Sequence, residues 1–276
     1  MIRLDSAGVR FGSRWIFRDL DLLVSDGSCL ALLGPNGRGK TTLIRALLGI
    51  QSLHEGYREA PSLIGYVPQA GSAPPHYRVL DMVVMGRAKA LGVFGSPKNE
   101  DYDAARSALA RVGLSAVADR SFAVLSGGER QLVLVARALA TGATTIVLDE
   151  PSSALDLANQ SRLLALIRNL TEDPAFTVVF STHHPQHVLH LADDVMMMME
   201  HGVLRGPVET ALTEENLRKL YGVDVRRVSI PGSSEVLVPL LDQILSPDAR
   251  ASSQPDHTAG IERGAEAITT NHRDAR

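Results

Sequence analysis

Short apolar runs that stop abruptly at polar or glycine positions recur along this 276-residue chain. "CLALLG", "SLIGYV", "TTIVLDE" and "TVVFST" lack the alternation of a half-exposed strand, so they predict strands buried on both faces of a parallel sheet. Between them, "KTTLIRALLGI", "EDYDAARSALARVGL", "ERQLVLVARALA" and "LANQSRLLALIRNL" repeat apolar residues at helical spacing. Strand–helix alternation of this kind predicts an α/β fold. From about Gly71 to Gly142 strand runs give way to helical patterns. The expected organisation is an α/β core, residues 1–71 and 143–245, with a helical subdomain, residues 72–142, inserted into it. "VMMMMEHG" reads as a core strand and a turn into another strand, because four adjacent strand residues cannot converge on one ion. From Ser246 to Arg276 large apolar residues become scarce, and that tail is expected to be disordered.

Composition narrows the functional classes. A net charge of -3 speaks against a general nucleic-acid surface. The single cysteine, Cys29, excludes an internal disulfide framework, fits a reducing compartment, and reads as a small buried apolar group. No apolar stretch reaches the ~20 residues needed to cross a bilayer; "LVLVARALATGATTIVL" is broken by Arg137 and a Thr-Gly cluster. The N-terminus has no apolar core of signal-peptide length. The chain is therefore expected to be cytoplasmic, with any membrane role coming through a partner.

Chemistry concentrates in three places. Gly34, Gly39, Lys40 and Thr41 fit G-x-x-x-x-G-K-[ST], between a strand-like run and an amphipathic helix. Glycines there let successive N–H groups wrap a phosphate at the positive end of the helix. Lys40 would reach the β- and γ-phosphates, and the Thr41 hydroxyl would ligate Mg²⁺. Asp149 and Glu150 end a buried strand, where open α/β sheets place their ligands. Alternation along a strand sends such neighbours to opposite sides, so Asp149 is expected to serve the Mg²⁺ shell and Glu150 to activate water as general base. In "LSGGERQ", Ser126 and Glu129 have capping-box spacing, while two intervening glycines leave the first helical amides bare for an outside anion.

In this order, Gly34 to Thr42, Gln69 in "GYVPQ", "LSGGERQ", "IVLDEP", "SALD" and His183 in "STHH" resemble the motifs of ATP-binding cassette (ABC) ATPases. The resemblance covers nearly the whole chain before the tail and implies a P-loop NTPase fold, a RecA-like core with an inserted helical subdomain, and ATP hydrolysis with Mg²⁺. It implies a phosphate cradle of Gly34, Pro35, Asn36, Gly37, Arg38, Gly39, Lys40, Thr41 and Thr42. Gln69 would sense metal and water, His183 would sit near the γ-phosphate, and Asp156 would communicate across a dimer. Phe11 matches the aromatic residue that stacks on adenine, a core phenylalanine being the equal alternative. The family pairs head to tail, which implies that Ser126, Gly127 and Gly128 of one copy cap the phosphate held by Lys40 of the other. Arg38 departs from the family, which usually has a small residue there; its guanidinium either adds charge at the phosphates or points to solvent.

Within the family, an isolated cassette resembles importer subunits, which implies a polytopic permease, an indirect link to a substrate-binding protein, and a place on the cytoplasmic face of the membrane. "VLDMVVMGR" and "LTEENLRKLYGV" resemble cassettes for iron–siderophores, haem and cobalamin. The short segment between Lys40 and Gln69 resembles zinc and manganese importers, or a molybdate/tungstate-transporting relative, whose "SALDLANQ" is also similar. A soluble, non-transport ABC ATPase is the competing class. "VLDMVVMGR" would form the permease groove, with Arg87 on it. His184 is expected to be structural or exposed, and His184, His187 and His190 approximate helical spacing without a coordinating cluster around them.

Overall fold

The computed structural model describes residues 1–69, 77–91, 95–153, 155–231 and 235–240. The tail from Ser246, expected to be disordered, lies outside them. The chain opens with a hairpin, β1 (Ile2–Phe11) and β2 (Arg14–Val24), then β3 (Cys29–Leu33), α1 (Lys40–Leu47), β4 (Glu55–Glu59) and β5 (Gly65–Val67). Four helices follow: α2 (Val79–Val84), α3 (Ala88–Leu91), α4 (Asn99–Arg111) and α5 (Gly127–Ala140). Next come β6 (Thr145–Leu148), α6 (Leu157–Thr171), β7 (Thr177–Thr182), α7 (Pro185–Leu191), β8 (Asp194–Met198) and β9 (Val203–Pro207). The described chain ends with α8 (Val208–Ala211), α9 (Glu214–Tyr221), β10 (Val225–Ser229) and β11 (Glu235–Pro239).

The central sheet runs β5-β6-β7-β3-β8-β9, parallel except for β9, which pairs antiparallel with β8. Its four apolar runs are the expected strands. Their residues alternate between two cores: Ala31 and Leu33 pack with the helices α2, α4, α5 and α6, while Leu30 and Leu32 pack with α1 and the first hairpin. The methionine run obeys the same alternation, Met197 facing one core and Met196 and Met198 the other. Cys29 is buried at the start of β3, and burial pushes its thiol far above the usual range.

A second sheet, β2-β1-β4, is antiparallel and has no counterpart among the runs predicted. Its alternation is interrupted twice. Ser6 (φ 44°) and Asp19 (φ 51°) adopt left-handed backbone, and the β1–β2 register slips between Leu4 and Ala7. Bulges of this kind bend the strand and put consecutive residues out of phase, so a period-2 search loses the pattern.

Arg87 is half-buried and tied into the helical region. Its Nε donates to Asp101 Oδ1 at 3.0 Å, and Asp101 is only 3 % exposed. The other oxygen of Asp101 accepts the Lys98 N–H at 3.0 Å in the box that caps α4. Arg87 Nη1 points to the Ala140 carbonyl at the C-terminal end of α5. The arginine is thus a strut between two helices, favoured by the negative end of one of them. The surface beside it is a cavity of about 350 Å³, lined among others by Tyr77, Val84, Met85, Leu91 and Tyr102.

Candidate nucleotide-hydrolysis site

Strands β6, β7 and β3 are neighbours, so the segments leaving their C-terminal ends converge. These segments carry Asp149 and Glu150, His183, and the loop Gly34 to Gly39. Gly37 (φ 80°) and Gly39 (φ 95°) hold left-handed backbone that other residues adopt at a cost. A Cβ on Gly39 would lie 2.4 Å from Ile16 Cγ2, so β2 also closes on the loop. Gly39 is the N-cap of α1 and offers no side-chain cap; the first helical bond runs from Leu43 N–H to Gly39 O at 2.9 Å. The amides of Lys40, Thr41 and Thr42 have no partner within the helix, and no acidic side chain occupies its first turn. A phosphate fits this cradle. Of the remaining loop residues, Asn36 and Gly37 are exposed and Pro35 half-buried. Arg38 Nη2 lies 3.7 Å from Glu200 Oε2, so the guanidinium turns to the β8–β9 turn.

Lys40 and Glu150 are the centre of the site. Lys40 Nζ donates to the Gly34 carbonyl at 2.6 Å and the Pro35 carbonyl at 3.0 Å, and sits 2.9 Å from Glu150 Oε1. Both side chains are buried, 4 % and 7 % exposed. The second oxygen, Oε2, meets His183 Nδ1 at 3.2 Å. Burial acts to raise the Glu150 carboxyl, but Lys40 and then His183 outweigh it and hold the group below its ordinary value. Glu150 is therefore a carboxylate near neutral pH.

The backbone explains how two adjacent acids take separate tasks. Both lie beyond the end of β6, and Glu150 has φ 43°. A left-handed non-glycine residue costs roughly 1–2 kcal/mol, and such strain collects at functional sites. Ser181 holds the turn: its Oγ donates to Asp149 Oδ1 at 2.7 Å and accepts the Glu150 N–H at 2.8 Å. The left-handed turn, rather than strand alternation, separates the two carboxylates. Asp149 is 1 % exposed and has no cationic side chain within ion-pair distance among the described residues. A buried carboxylate in that state fits a metal ion, with the half-buried Thr41 as its hydroxyl partner.

The remaining candidates lie elsewhere. Ser126 is the N-cap of α5 in a complete capping box: its Oγ accepts Glu129 N–H at 3.2 Å, and Glu129 Oε2 accepts Ser126 N–H at 2.9 Å. The Ser126 N–H keeps the Glu129 carboxyl below its usual range. The two glycines differ. Gly127 is exposed, and a Cβ on it would meet nothing within 4 Å. Gly128 is buried, and a Cβ there would lie 2.2 Å from Asn159 Cγ. Only the first of the pair is bare; the second is required by the close approach of α6. Asp156 is the exposed N-cap of α6, its two oxygens taking the Asn159 N–H at 2.8 Å and Asn159 Nδ2 at 3.0 Å. Among the described residues no hydrogen bond or ion pair joins Ser126, Gly127, Gly128 or Asp156 to the glycine loop. Gln69 is exposed just beyond β5. Phe11, at the end of β1, is 55 % exposed, which removes the core reading of that residue. Sequence reasoning missed Ser181 and Asn159, whose roles come from contacts 31 and 31 positions away.

A glycine loop opening a helix, beside an Asp-Glu pair at the ends of parallel strands, defines a P-loop nucleoside triphosphatase. The model of the ABC transporter family matches residues 17–153. The molybdate import ATP-binding protein MolC of Haemophilus influenzae is 44% identical over 207 residues, 75% of this chain and 82% of that protein. The manganese transport system ATP-binding protein MntB of Bacillus subtilis is 34% identical over 231 residues, covering 80% and 92%. A solved chain from an inward-facing, metal-chelate type ABC transporter is 39% identical with a TM-score of 0.83, covering 88% of this chain and 98% of its own. The chain belongs to the ABC transporter family and is one of its ATPases. No helix among the described residues is long and apolar enough to cross a membrane.

Proposed function

We propose that this chain is the ATP-hydrolysing subunit of an importer whose cargo is a molybdate-type oxyanion or a chelated metal. It works as an ATP-driven homodimer beneath a polytopic permease, on the cytoplasmic face of the membrane, served indirectly by a substrate-binding protein. Identity to a molybdate importer's cassette and to a chain of a metal-chelate type transporter supports the cargo class. We assign residues 1–71 and 143–245 to the catalytic core and 72–142 to the helical subdomain, with 70–76 and 241–245 lying outside the described residues; the placement of α2 to α5 between β5 and β6 supports this division.

Magnesium supplies charge neutralisation at the β- and γ-phosphates when bound. Thr41 and Asp149 would hold it, Asp149 in the orientation that Ser181 gives it, and Gln69 would stand by as its sensor. The amides from Gly37 to Thr42 cradle the phosphates, and Lys40 exchanges the Gly34 and Pro35 carbonyls for phosphate oxygens. Glu150, ionised and freed from Lys40 in that exchange, takes a proton from the attacking water. His183 orients the same carboxylate from its other oxygen and faces the γ-phosphate. Phe11 offers its exposed ring to adenine. Ser126 and the bare Gly127 present the positive end of α5 to the phosphate held by the partner copy, and Asp156 follows the contact across the dimer. The exposed Leu157, 84 % accessible directly after Asp156, suits burial in that interface. The cavity beside α2 receives the permease.

The observation that carries this reading is the buried Lys40–Glu150 contact inside a cradle of bare amides. In the Glu150→Gln protein, ATP is expected to stay bound while turnover stops. Hydrolysis at the unaltered rate would remove Glu150 as base.

A further inference from the structure

The histidines after His183 have no metal cluster around them among the described residues, yet one of them ties two parts of the site together. His187 is 7 % exposed on α7. Its Nε2 lies 3.0 Å from Gln160 Nε2, in the first turn of α6, and its Nδ1 lies 3.3 Å from Thr182 Oγ1 at the end of β7. Gln160 N–H donates to the Asp156 carbonyl at 2.8 Å, so the amide belongs to the helix that Asp156 caps. Thr182 Oγ1 also accepts the His184 N–H at 3.0 Å, which fixes the backbone immediately after His183. Tyr221 Oη donates to the His183 carbonyl at 2.8 Å, completing the clamp. The rings continue the path, with His183 and His184 centroids 4.0 Å apart and His184 and His187 4.9 Å apart.

We propose that His187 is a positioning residue: through Gln160 and Thr182 it couples the helix headed by Asp156 to the turn that holds His183 against Glu150. Resting on the reading of His183 given above, it adds a link within one chain between the element facing the partner copy and the one facing the γ-phosphate. Burial first, and the neighbouring histidines second, push the His187 imidazole down to about 4. It stays neutral near pH 7, and a neutral ring serves one hydrogen bond as donor and the other as acceptor. Either orientation of the Gln160 amide satisfies that requirement.

The test is a double-mutant cycle in the full chain. His187→Ala and Gln160→Ala are made alone and on a His183→Ala background, with kcat, KM for MgATP, ADP affinity and thermal melting measured for each. Gln160→Ala, which removes one buried hydrogen bond, is expected to lower kcat about five- to tenfold, His187→Ala, which removes two, by at least as much, and both to move KM less than about twofold. His187→Asn, which restores a neutral polar group near Nδ1, is expected to recover most of the rate. On the His183→Ala background neither variant should slow turnover further. Gln160→Ala decides the matter if His187→Ala does not fold. A normal kcat in both His187→Ala and Gln160→Ala while His183→Ala is slow would overturn this link alone. Equal losses with and without His183 would also overturn it. A His183→Ala protein of normal rate would remove the His183 assignment together with the link.

Discussion

The two glycines of "SGG" are adjacent, yet they should respond oppositely to the same methyl group. At Gly128 the added Cβ would stand 2.2 Å from Asn159 Cγ and 2.6 Å from Asn159 Cβ, against an ordinary carbon contact of about 3.5–4.0 Å. Turning the Asn159 side chain about its Cα–Cβ bond relieves the first clash but leaves the second, because Cβ moves only with the α6 backbone. Such overpacking costs about 1–3 kcal/mol, and displacing Asn159 also threatens its bond to Asp156 at 3.0 Å. With about 2–4 °C per kcal/mol for a chain of this size, Gly128→Ala should melt roughly 2–12 °C lower. Gly127 has open space around its Cα and no left-handed φ, so Gly127→Ala should be neutral or gain at most about 1 kcal/mol from helix propensity. Its expected defect is functional, since the methyl covers the amide offered to the partner's phosphate. Differential scanning calorimetry without nucleotide, followed by steady-state ATPase assays, separates the two. If Gly128→Ala melts with the unaltered protein, or Gly127→Ala is the less stable of the pair, the packing account of α5 against α6 is wrong.

Lys40→Ala should lose most of its ATP affinity in a nucleotide titration, since its ammonium sits at the centre of the cradle; unchanged binding would contradict that placement. Arg87→Glu should lower thermal stability, because it sets a second carboxylate against buried Asp101; a melting temperature equal to the unaltered protein's would contradict the strut. Acid should destabilise the fold through His187. The unfolded imidazole takes a proton near 6.5 and the folded one only near 4, so stability falls as pH drops across that window, by up to about 1.4 kcal/mol per pH unit. Urea unfolding of His187→Gln should show a shallower slope there, and an identical slope would refute the assignment.

Much of the fold was legible because parallel strands buried on two faces are written as unbroken apolar runs: "CLALLG" and "TVVFST" became β3 and β7 at nearly the expected bounds. The antiparallel sheet was not, since left-handed Ser6 and Asp19 break its alternation in sequence while preserving it in space. In the site, local spacing announced the glycine loop and the capping box, both of which are made by neighbours in the chain. Ser181 and Asn159 act through distant partners, and nothing in their immediate surroundings marks them; His187 stood out as one of three spaced histidines, but its link to Gln160 spans 27 positions. The Arg87 ion pair was hidden for the same reason, since its carboxylate partner lies 14 residues away on another helix.

The most direct measurement is the mass of the Glu150→Gln protein by light scattering, with and without Mg-ATP, beside the same protein carrying Gly127→Ala. Two copies clasping nucleotide between a glycine loop and a facing α5 predict a doubling of mass on adding Mg-ATP, abolished or sharply weakened by the methyl at Gly127. A protein that binds Mg-ATP and remains monomeric, or one that pairs equally well with that amide covered, would contradict it.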